Sequence, residues 1–431
     1  LLTPDGTVKL GDIQEWPFNS HALFGTTPQE VREMDRDERS VILAKHNLEV
    51  TQSELARCRE AIRNGTIWEL AEKRSHASPY LRESFLWLQE QLDDPDDGPI
   101  GDSVLRMIAS TNPLRGGGEG LGDEIEYRPH ILHIQALLAT RWRVPGSWWD
   151  STTGPPERVL LIEGAPPPWR TSALASVIEH LVEEPRTVVM ISTPIGPIPF
   201  SIEDVSPWCH LTGPDGIWDP IFDDEEVLEA LEEYGLSEVP LIRMTPIEGE
   251  EEAKAPEVRD WLDRCSVVDK LALLCAINPS ESCKMTDGMT SRKSRTDRLV
   301  NVNSGGKHIL SPRLTDGGIS LTTHGASIAN GLNTSPVPVF GSSEEDSDFP
   351  GIPRVCIIDD AVPFVGKGRN VMHGYISGAD SHLIPGQPCI VVDSTGALVA
   401  HGTPITTHLE MSYLRKGVAV KVREGAMKQD S

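Results

Sequence analysis

The chain has 431 residues, 38% hydrophobic and 24% charged, with a formal net charge of −26. That length supports two to four domains at roughly 100–200 residues each, with several buried cores. Acidity on this scale repels phosphates over most of a surface, so a polyanionic partner has to be met locally.

No apolar run approaches the ~18–20 residues that span a bilayer, and the N-terminus lacks a charged-then-apolar leader. The expectation is a soluble cytoplasmic protein without membrane contact. The seven cysteines are scattered, odd in number and never in a C-x-x-C pair, which points to free thiols and to no disulfide framework or zinc ribbon. The first residue is Leu rather than Met, and "LLTPDGTVKLGD" reads as a strand or turn already under way, so further sequence upstream is expected.

Helical text begins at Thr27, which sits as an N-cap with Pro28 at the first helical position and Glu30 three residues on. A second helix starts at Thr51, with Glu54 following and Gly65 as its stop, and Trp68, Leu70, Leu81, Phe85, Leu88 and Leu92 keep helical spacing around a break at Pro79. Residues 1–92 thus form a first region, and 93–127, with "DDPDDGP" and "RGGGEGLGDE", reads as a linker.

A helix is predicted at 128–142, and from 158 the period changes. "RVLLIEG" and "RTVVMISTP" are continuous apolar runs suited to buried strands, with the amphipathic "SALASVIEHLVEE" between them, a β-α-β unit. Helices at 223–234 and 256–276 extend it into an α/β domain over 128–280. Residues 281–334 read as a small α+β connection, with short strands and turns over 300–333, and 335–352 as a Pro/Ser/acidic linker. Over 353–425 short β runs alternate with turns around one short helix, "THLEMSYLRK", a small β-barrel followed by a tail at 426–431. The barrel holds seven basic and six acidic residues, so its net charge is +1 and the rest of the chain carries −27.

Within that barrel "VGKGRNVMHGYI" places Lys367 and Arg369 between Gly366, Gly368 and Asn370. Glycines let a backbone approach a sugar-phosphate chain closely, and Lys and Arg neutralise phosphates. The alternative is a plain turn with solvated charges. "SRKSRTDR" (291–298), with Lys284 and Lys307 nearby, is either a second RNA contact or a solvated loop.

The F-V-x-K-G-R-N-V loop (364–371), I-P-G-Q (384–387), D-S-T-G-A-L-V-A-H-G and the closing G-V-A-V-K-V-R closely resemble the PUA domain that ends archaeal tRNA-guanine transglycosylases and archaeosine synthases. The resemblance implies a domain that binds the acceptor-stem end of tRNA. It makes Gly366, Lys367, Gly368, Arg369, Asn370, Arg415, Lys416, Lys421 and Arg423 the RNA-contact candidates. Upstream, residues 1–92 resemble the end of the transglycosylase-type (β/α)8 barrel, a TIM-barrel-like domain, with its trailing helices. The aspartate nucleophile of that barrel would lie before Leu1. The family's zinc cluster, C-x-C-x-x-C followed by the His of H-N-L, aligns with Phe18, Ser20, Leu23 and His46. One imidazole does not make a four-ligand site, so no metal or other cofactor is expected and His46 is read as a helix-packing or solvated residue.

Residues 128–280 resemble the central α/β domain of archaeosine synthases, whose P-C-S-x-x-K-P-Y-S loop supplies a Cys and a Lys. Here Glu163 to Thr171 read EGAPPPWRT, with neither thiol nor amine. Arg170 is left as a carboxylate or phosphate holder or as an ordinary surface arginine. Ser192, Thr193, Gly196 and Glu203, in and after the retained T-P-I-G turn, line a cleft or merely build the turn. No catalytic residue is assigned. The readings are a multidomain α+β and α/β tRNA-binding protein of archaeosine modification, a non-catalytic tRNA-binding subunit or chaperone, or a transglycosylase fragment lacking its barrel. Partners would be tRNA, with a separate catalytic subunit or a second copy of the chain. Purified protein is expected to carry no stoichiometric zinc, and elemental analysis by mass spectrometry checks this.

Overall fold

A computed structural model describes residues 1–93, 102–110, 119–120, 125–144, 154–212, 223–247, 254–341 and 347–427. The chain divides into two units, Leu1–Pro99 and Ile100–Ser431. Most of the 93–127 stretch, the acidic run at 248–252 and residues 428–431 lie outside the described residues. Among the described residues no helix is long and apolar enough to cross a membrane. All seven cysteines are free, with Cys58 and Cys209 half-buried and the others buried.

The first unit opens with a hairpin of β1 (Leu2–Thr3) and β2 (Gly6–Thr7), then α1 (Pro28–Glu33), α2 (Arg36–Asn64), α3 (Ile67–Ser75) and α4 (Pro79–Asp93). Thr27 and Glu30 form the full capping box of α1. α2 is continuous from its Asp35 cap to Gly65, whose left-handed φ of 71° ends it. The helix read as starting at Thr51 is therefore the second half of α2. Trp68 and Phe85 pack at 4.7 Å between α3 and α4.

The second unit begins with α5 (Asp102–Ser110), β3 (Glu119–Gly120) and α6 (Pro129–Arg141). Helix α5 corrects the linker reading: Leu105 and Ala109, one turn apart, are buried on its inner face. Next come β4 (Arg158–Ile162), α7 (Trp169–Ser172), α8 (Leu174–Glu183), β5 (Thr187–Thr193), β6 (Gly196–Pro199), β7 (Leu211–Thr212), α9 (Asp224–Glu232) and β8 (Leu241–Met244). These give a four-stranded sheet in the order β6-β5-β4-β8, with β4 parallel to β5 and β8. β4 is apolar because it is central and Val159 to Ile162 are all buried. Helix α10 (Pro256–Cys275), with every residue from Cys265 to Cys275 buried, runs through the core.

α11 (Pro279–Met285) precedes an antiparallel sheet in the order β12-β11-β10-β9, made of β9 (Thr290–Lys293), β10 (Leu299–Ser304), β11 (Lys307–Pro312) and β12 (Ile319–Leu321). α12 (Thr323–Leu332) follows, where strands and turns were expected. Thr322 caps it, and its Gly325 packs so closely that a Cβ would lie 2.0 Å from the Ile309 carbonyl oxygen. A helix with Gly at this contact carries a weak sequence signal.

The last elements are β13 (Arg354–Ile357), α13 (Val362–Val365), β14 (Val371–Met372), β15 (Ile376–Ala379), β16 (Cys389–Val392), β17 (Leu398–Pro404), α14 (His408–Tyr413) and β18 (Val418–Gly425). They form a six-stranded near-barrel sheet, β14-β18-β17-β16-β13-β15, antiparallel except for β13 with β16. Along β16, Cys389 and Val391 point into this domain's own core while Ile390 and Val392 join the core of the larger α/β part. The 335–352 segment, read as a linker, is held down at its two described ends. Gly351 donates to the Ala276 carbonyl (2.9 Å), Ile352 is buried, and the Ser335 and Pro336 carbonyls accept from Arg354 (3.0 and 2.7 Å).

Arg354 also clasps Asp380 through Nε (3.0 Å) and Nη2 (3.2 Å), with both residues buried. Arg354→Ala leaves Asp380 charged and buried, so it is expected to cost about 3–5 kcal/mol of stability, read by urea unfolding. A second buried carboxyl, Asp269 on α10, accepts from Trp142 Nε1 (3.2 Å) and from the Ser201 hydroxyl. Burial pushes its pKa up to about 7, against the two hydrogen bonds. Its folded pKa lies above the unfolded one, so its stabilising share is full below about pH 4 and falls as pH rises through 7. Asp269→Asn keeps the acceptor and removes the titration. Thermal unfolding midpoints of wild type relative to the variant should therefore fall between pH 4 and pH 7.

Candidate nucleic-acid interface

β18 has Ala419 and Val420 buried and Lys421 and Arg423 exposed. At its C-terminal end lies the 366–370 loop: Gly425 touches it so closely that a Cβ there would lie 2.1 Å from the Gly366 carbonyl oxygen, and Met427 N–H donates to that oxygen (3.1 Å). At its N-terminal end Arg415 and Lys416 precede Gly417, whose φ of 93° turns the chain into the strand. Lys367, Arg369, Arg415, Lys416, Lys421 and Arg423 are all exposed. Among the described residues none of the six pairs with a carboxylate; Arg415 only donates to the Ser412 and Leu414 carbonyls (2.9 and 3.0 Å). Eight residues at ~3.3 Å each put this cationic stripe on the order of 25 Å long.

The loop itself is rigid. Gly366, Lys367, Gly368 and Arg369 N–H groups donate to the Val362, Phe364, Val365 and Phe364 carbonyls, so its cations are offered from a closed turn. Gly368 takes φ 90°, which its lack of a Cβ permits. Asn370 is exposed, and its Oδ1 accepts from Val422 N–H (3.1 Å), latching the loop to β18. Sequence reasoning missed three aromatics of the same domain, Phe364 (66% exposed), Tyr375 (47%) and Tyr413 (77%). Phe364 precedes Lys367 and Tyr413 precedes Arg415 closely in the sequence, whereas Tyr375 has no basic neighbour that would have signalled it; exposed aromatic faces beside cations suit base stacking.

At the C-terminal end of β4 the altered loop folds in on itself. Trp169 is fully buried and donates to the Ala165 carbonyl (2.7 Å). Arg170 is largely enclosed, its side chain 11% exposed, and bonds Asp263 Oδ1 (3.0 Å), with Glu203 at 3.7 Å and Asp297 at 3.8 Å. Lys293 reaches Asp263 (2.6 Å), Arg259 reaches Asp297 (2.5 Å), and Lys270 and Arg298 reach Asp204 (2.6 and 3.7 Å). Burial works against the Arg170 charge, but the Asp263 and Glu203 carboxylates outweigh it and raise its pKa. Burial, then the nearby Asp204 charge, raises the Glu203 pKa.

Arg170 and Glu203 are thus brought together, as two members of an internal ion network. Thr193 and Gly196 instead close on each other across a two-residue hairpin between β5 and β6: the Thr193 hydroxyl donates to the Gly196 carbonyl (2.6 Å) and Gly196 takes φ 104°. Ser192 is half-buried beside them. The 291–298 island divides, with Lys293 and Arg298 spent on internal carboxylates while Arg292 and Arg295 stay exposed.

In the first unit, Phe18 stacks on His46 at 4.7 Å, and Ser20 donates to Glu49 (2.7 Å). Leu23 is buried, and His46 is fully buried with Nε2 against the Leu2 carbonyl (2.9 Å). Ring stacking, a hydrogen bond and an aliphatic side chain occupy the positions aligned with a zinc cluster. Among the described residues no group of three His, Cys, Asp or Glu is placed to hold a metal.

Residues 353–426 match the PUA domain family. The chain is 26% identical, over 99% of its length, to a tRNA-guanine(15) transglycosylase of Methanothermobacter thermautotrophicus, covering 60% of that protein. To the Methanocaldococcus jannaschii protein of the same name it is 25% identical over 98% of its length, covering 59%. Among solved structures it is similar to a conserved PUA domain protein from Thermoplasma acidophilum, 18% identical, covering 29% of this chain and 68% of that one, with a TM-score of 0.22. The chain spans about 60% of the length of the curated relatives it matches. By sequence it is a relative of the archaeal tRNA-guanine(15) transglycosylases, and its residues 353–426 are a PUA domain.

Proposed function

We propose that this chain holds tRNA for an archaeosine-type modification of the D-loop, gripping the phosphate backbone with the PUA stripe. The observation that carries this reading is the set of six exposed cations without carboxylate partners along β18, in a chain of net charge −26. Lys367 and Arg369 grip one end, Arg415 and Lys416 the other, and Lys421 and Arg423 the middle. Gly366, Gly368 and Asn370 shape the loop. The Leu1–Pro99 unit is read as the end of a transglycosylase barrel, and 128–280 as a central domain of the archaeosine-synthase kind.

A specific observation favours the non-catalytic form of this reading. The loop at the end of β4 is filled by Trp169 and by the Arg170 ion network, leaving the cleft residues Arg170, Thr193, Gly196 and Glu203 engaged with one another. In that form a separate catalytic subunit, or a second copy of the chain, supplies the chemistry.

Lys367→Glu with Arg369→Glu is expected to weaken tRNA binding at least tenfold. It should also reduce the slope of log K against log salt by roughly two, measured by fluorescence anisotropy. Unchanged affinity and slope would remove the loop from the interface. Mass spectrometry of tRNA nucleosides from cells with and without the gene tests the pathway, the expected change being in one D-loop nucleoside.

A further inference from the structure

From Lys284 to Arg313 the chain holds seven basic and two acidic side chains, a net charge of +5 within a protein of −26. Four of the seven are taken up by carboxylates: Lys284 by Glu281, Lys293 by Asp263, Arg298 by Asp204 and Arg313 by Asp316. Arg292, Arg295 and Lys307 are exposed and, among the described residues, meet no carboxylate. Arg292 of β9 stands opposite Asn301 of β10, whose Oδ1 accepts from the Ser311 hydroxyl of β11 (3.3 Å), and Ser311 stands opposite Ser320 of β12. This polar row crosses all four strands, ~14 Å at about 4.8 Å per strand. The β9–β10 turn that carries Arg295 is closed, with Ser294 N–H donating to the Arg298 carbonyl (2.8 Å) and the Lys293 and Arg298 ion pairs pinning it from within. At the β10–β11 turn, Gly305 and Gly306 take φ of 54° and 75° beside Lys307, with open space where their side chains would stand. A partner's backbone can approach such a turn closely.

None of the large apolar side chains between Lys284 and Arg313 is exposed. A protein–protein interface centres on apolar and aromatic residues and is depleted in Lys, whereas a nucleic-acid interface is polar and positive. The surface therefore fits a phosphate backbone. Thr323, two residues beyond β12, donates to Glu424 of β18 (2.6 Å), so Glu424 and β9 lie at opposite edges of the sheet. An extended RNA bridges that width and a single nucleotide does not. We propose that Arg292, Arg295 and Lys307 form a second phosphate-binding surface, which takes another stretch of the backbone of the same tRNA that the PUA stripe holds. The inference rests on the tRNA-holding reading above and turns it into a two-point grip.

The probe is an unmodified tRNA transcript on the full chain, followed by fluorescence anisotropy. Arg292→Gln with Arg295→Gln is expected to weaken binding about three- to tenfold and to reduce the slope of log K against log salt by about 1–2. Lys307→Gln alone should reduce the slope by about 1. Arg292→Lys with Arg295→Lys should restore most of the affinity, because a phosphate contact needs the charge. The urea midpoints of these exposed-site variants should stay at the wild-type value. Sedimentation velocity should give one tRNA per chain, and the losses in log K should add when the Gln pair is combined with the Lys367 and Arg369 variant. Unchanged affinity and slope in the Gln pair, with binding still lost on changing Lys367 and Arg369, overturns this inference and leaves the functional reading standing. Two tRNAs per chain also overturns it, by making the two surfaces independent. Absence of tRNA binding by the wild-type chain overturns the functional reading itself.

Discussion

The Arg170 guanidinium, buried among Asp263, Glu203 and Asp297, fixes the arrangement of the larger unit. It ties together the loop after β4, the turn after β6, α10 and the β9–β10 hairpin. Lys293, Arg259, Lys270 and Arg298 extend the same network from neighbouring elements. A buried ion pair adds little stability over an apolar filling, yet removing one partner strands a charge at a cost of several kcal/mol, about 3–5. Such a network therefore specifies one registration of its elements more than it strengthens the fold. Its chemical consequence is local. A segment that would need a mobile thiol or amine at a sheet edge instead presents Trp169 packed inward and an arginine saturated by the protein's own carboxylates.

The opposite treatment of charge is seen on β18. β18 buries Ala419 and Val420 at its start and leaves Lys421 and Arg423 exposed, with a register shift against β17 between Val422 and Glu424. The glycine contact at residue 425 brings the 366–370 loop to the end of that strand. The rest of the chain carries −27, but charges beyond about 8–10 Å are screened at physiological ionic strength. The local field at the stripe is thus set by its own cations rather than by the distant acidity.

What was legible in the sequence was set by local physics. The capping box at Thr27 and the continuous apolar run of β4 announce themselves, because a cap is read within four residues and a central strand is apolar on both faces. α12 was not legible, because its Gly325 answers to the Ile309 carbonyl across the fold rather than to helix propensity. α5 was hidden among Gly-rich and acidic text, where burial against α6 rather than composition makes it a helix. The site divides the same way. The cations of the PUA stripe were readable by type, whereas the fates of Lys293, Arg298 and Asn370 depend on Asp263, Asp204 and Val422 N–H, partners 30 or more residues away.

Arginine is used for two incompatible jobs here, and its geometry explains the division. Arg354 spends its donors on Asp380 and on the Ser335 and Pro336 carbonyls, and Arg313 spends its own on Asp316, the Gly386 carbonyl and Gln387. A planar fork with five donors is suited to such stapling because each bond fixes the next. Once saturated, that fork has nothing left for a phosphate, whatever its formal charge. Among the described buried cations, Lys270 and Arg354 meet carboxylates, and Arg106 and Arg141 donate to the Ser381 and Leu273 carbonyls. Among the described residues the six exposed cations of the PUA domain keep clear of carboxylates, as do Arg292, Arg295 and Lys307 of the β9–β11 sheet.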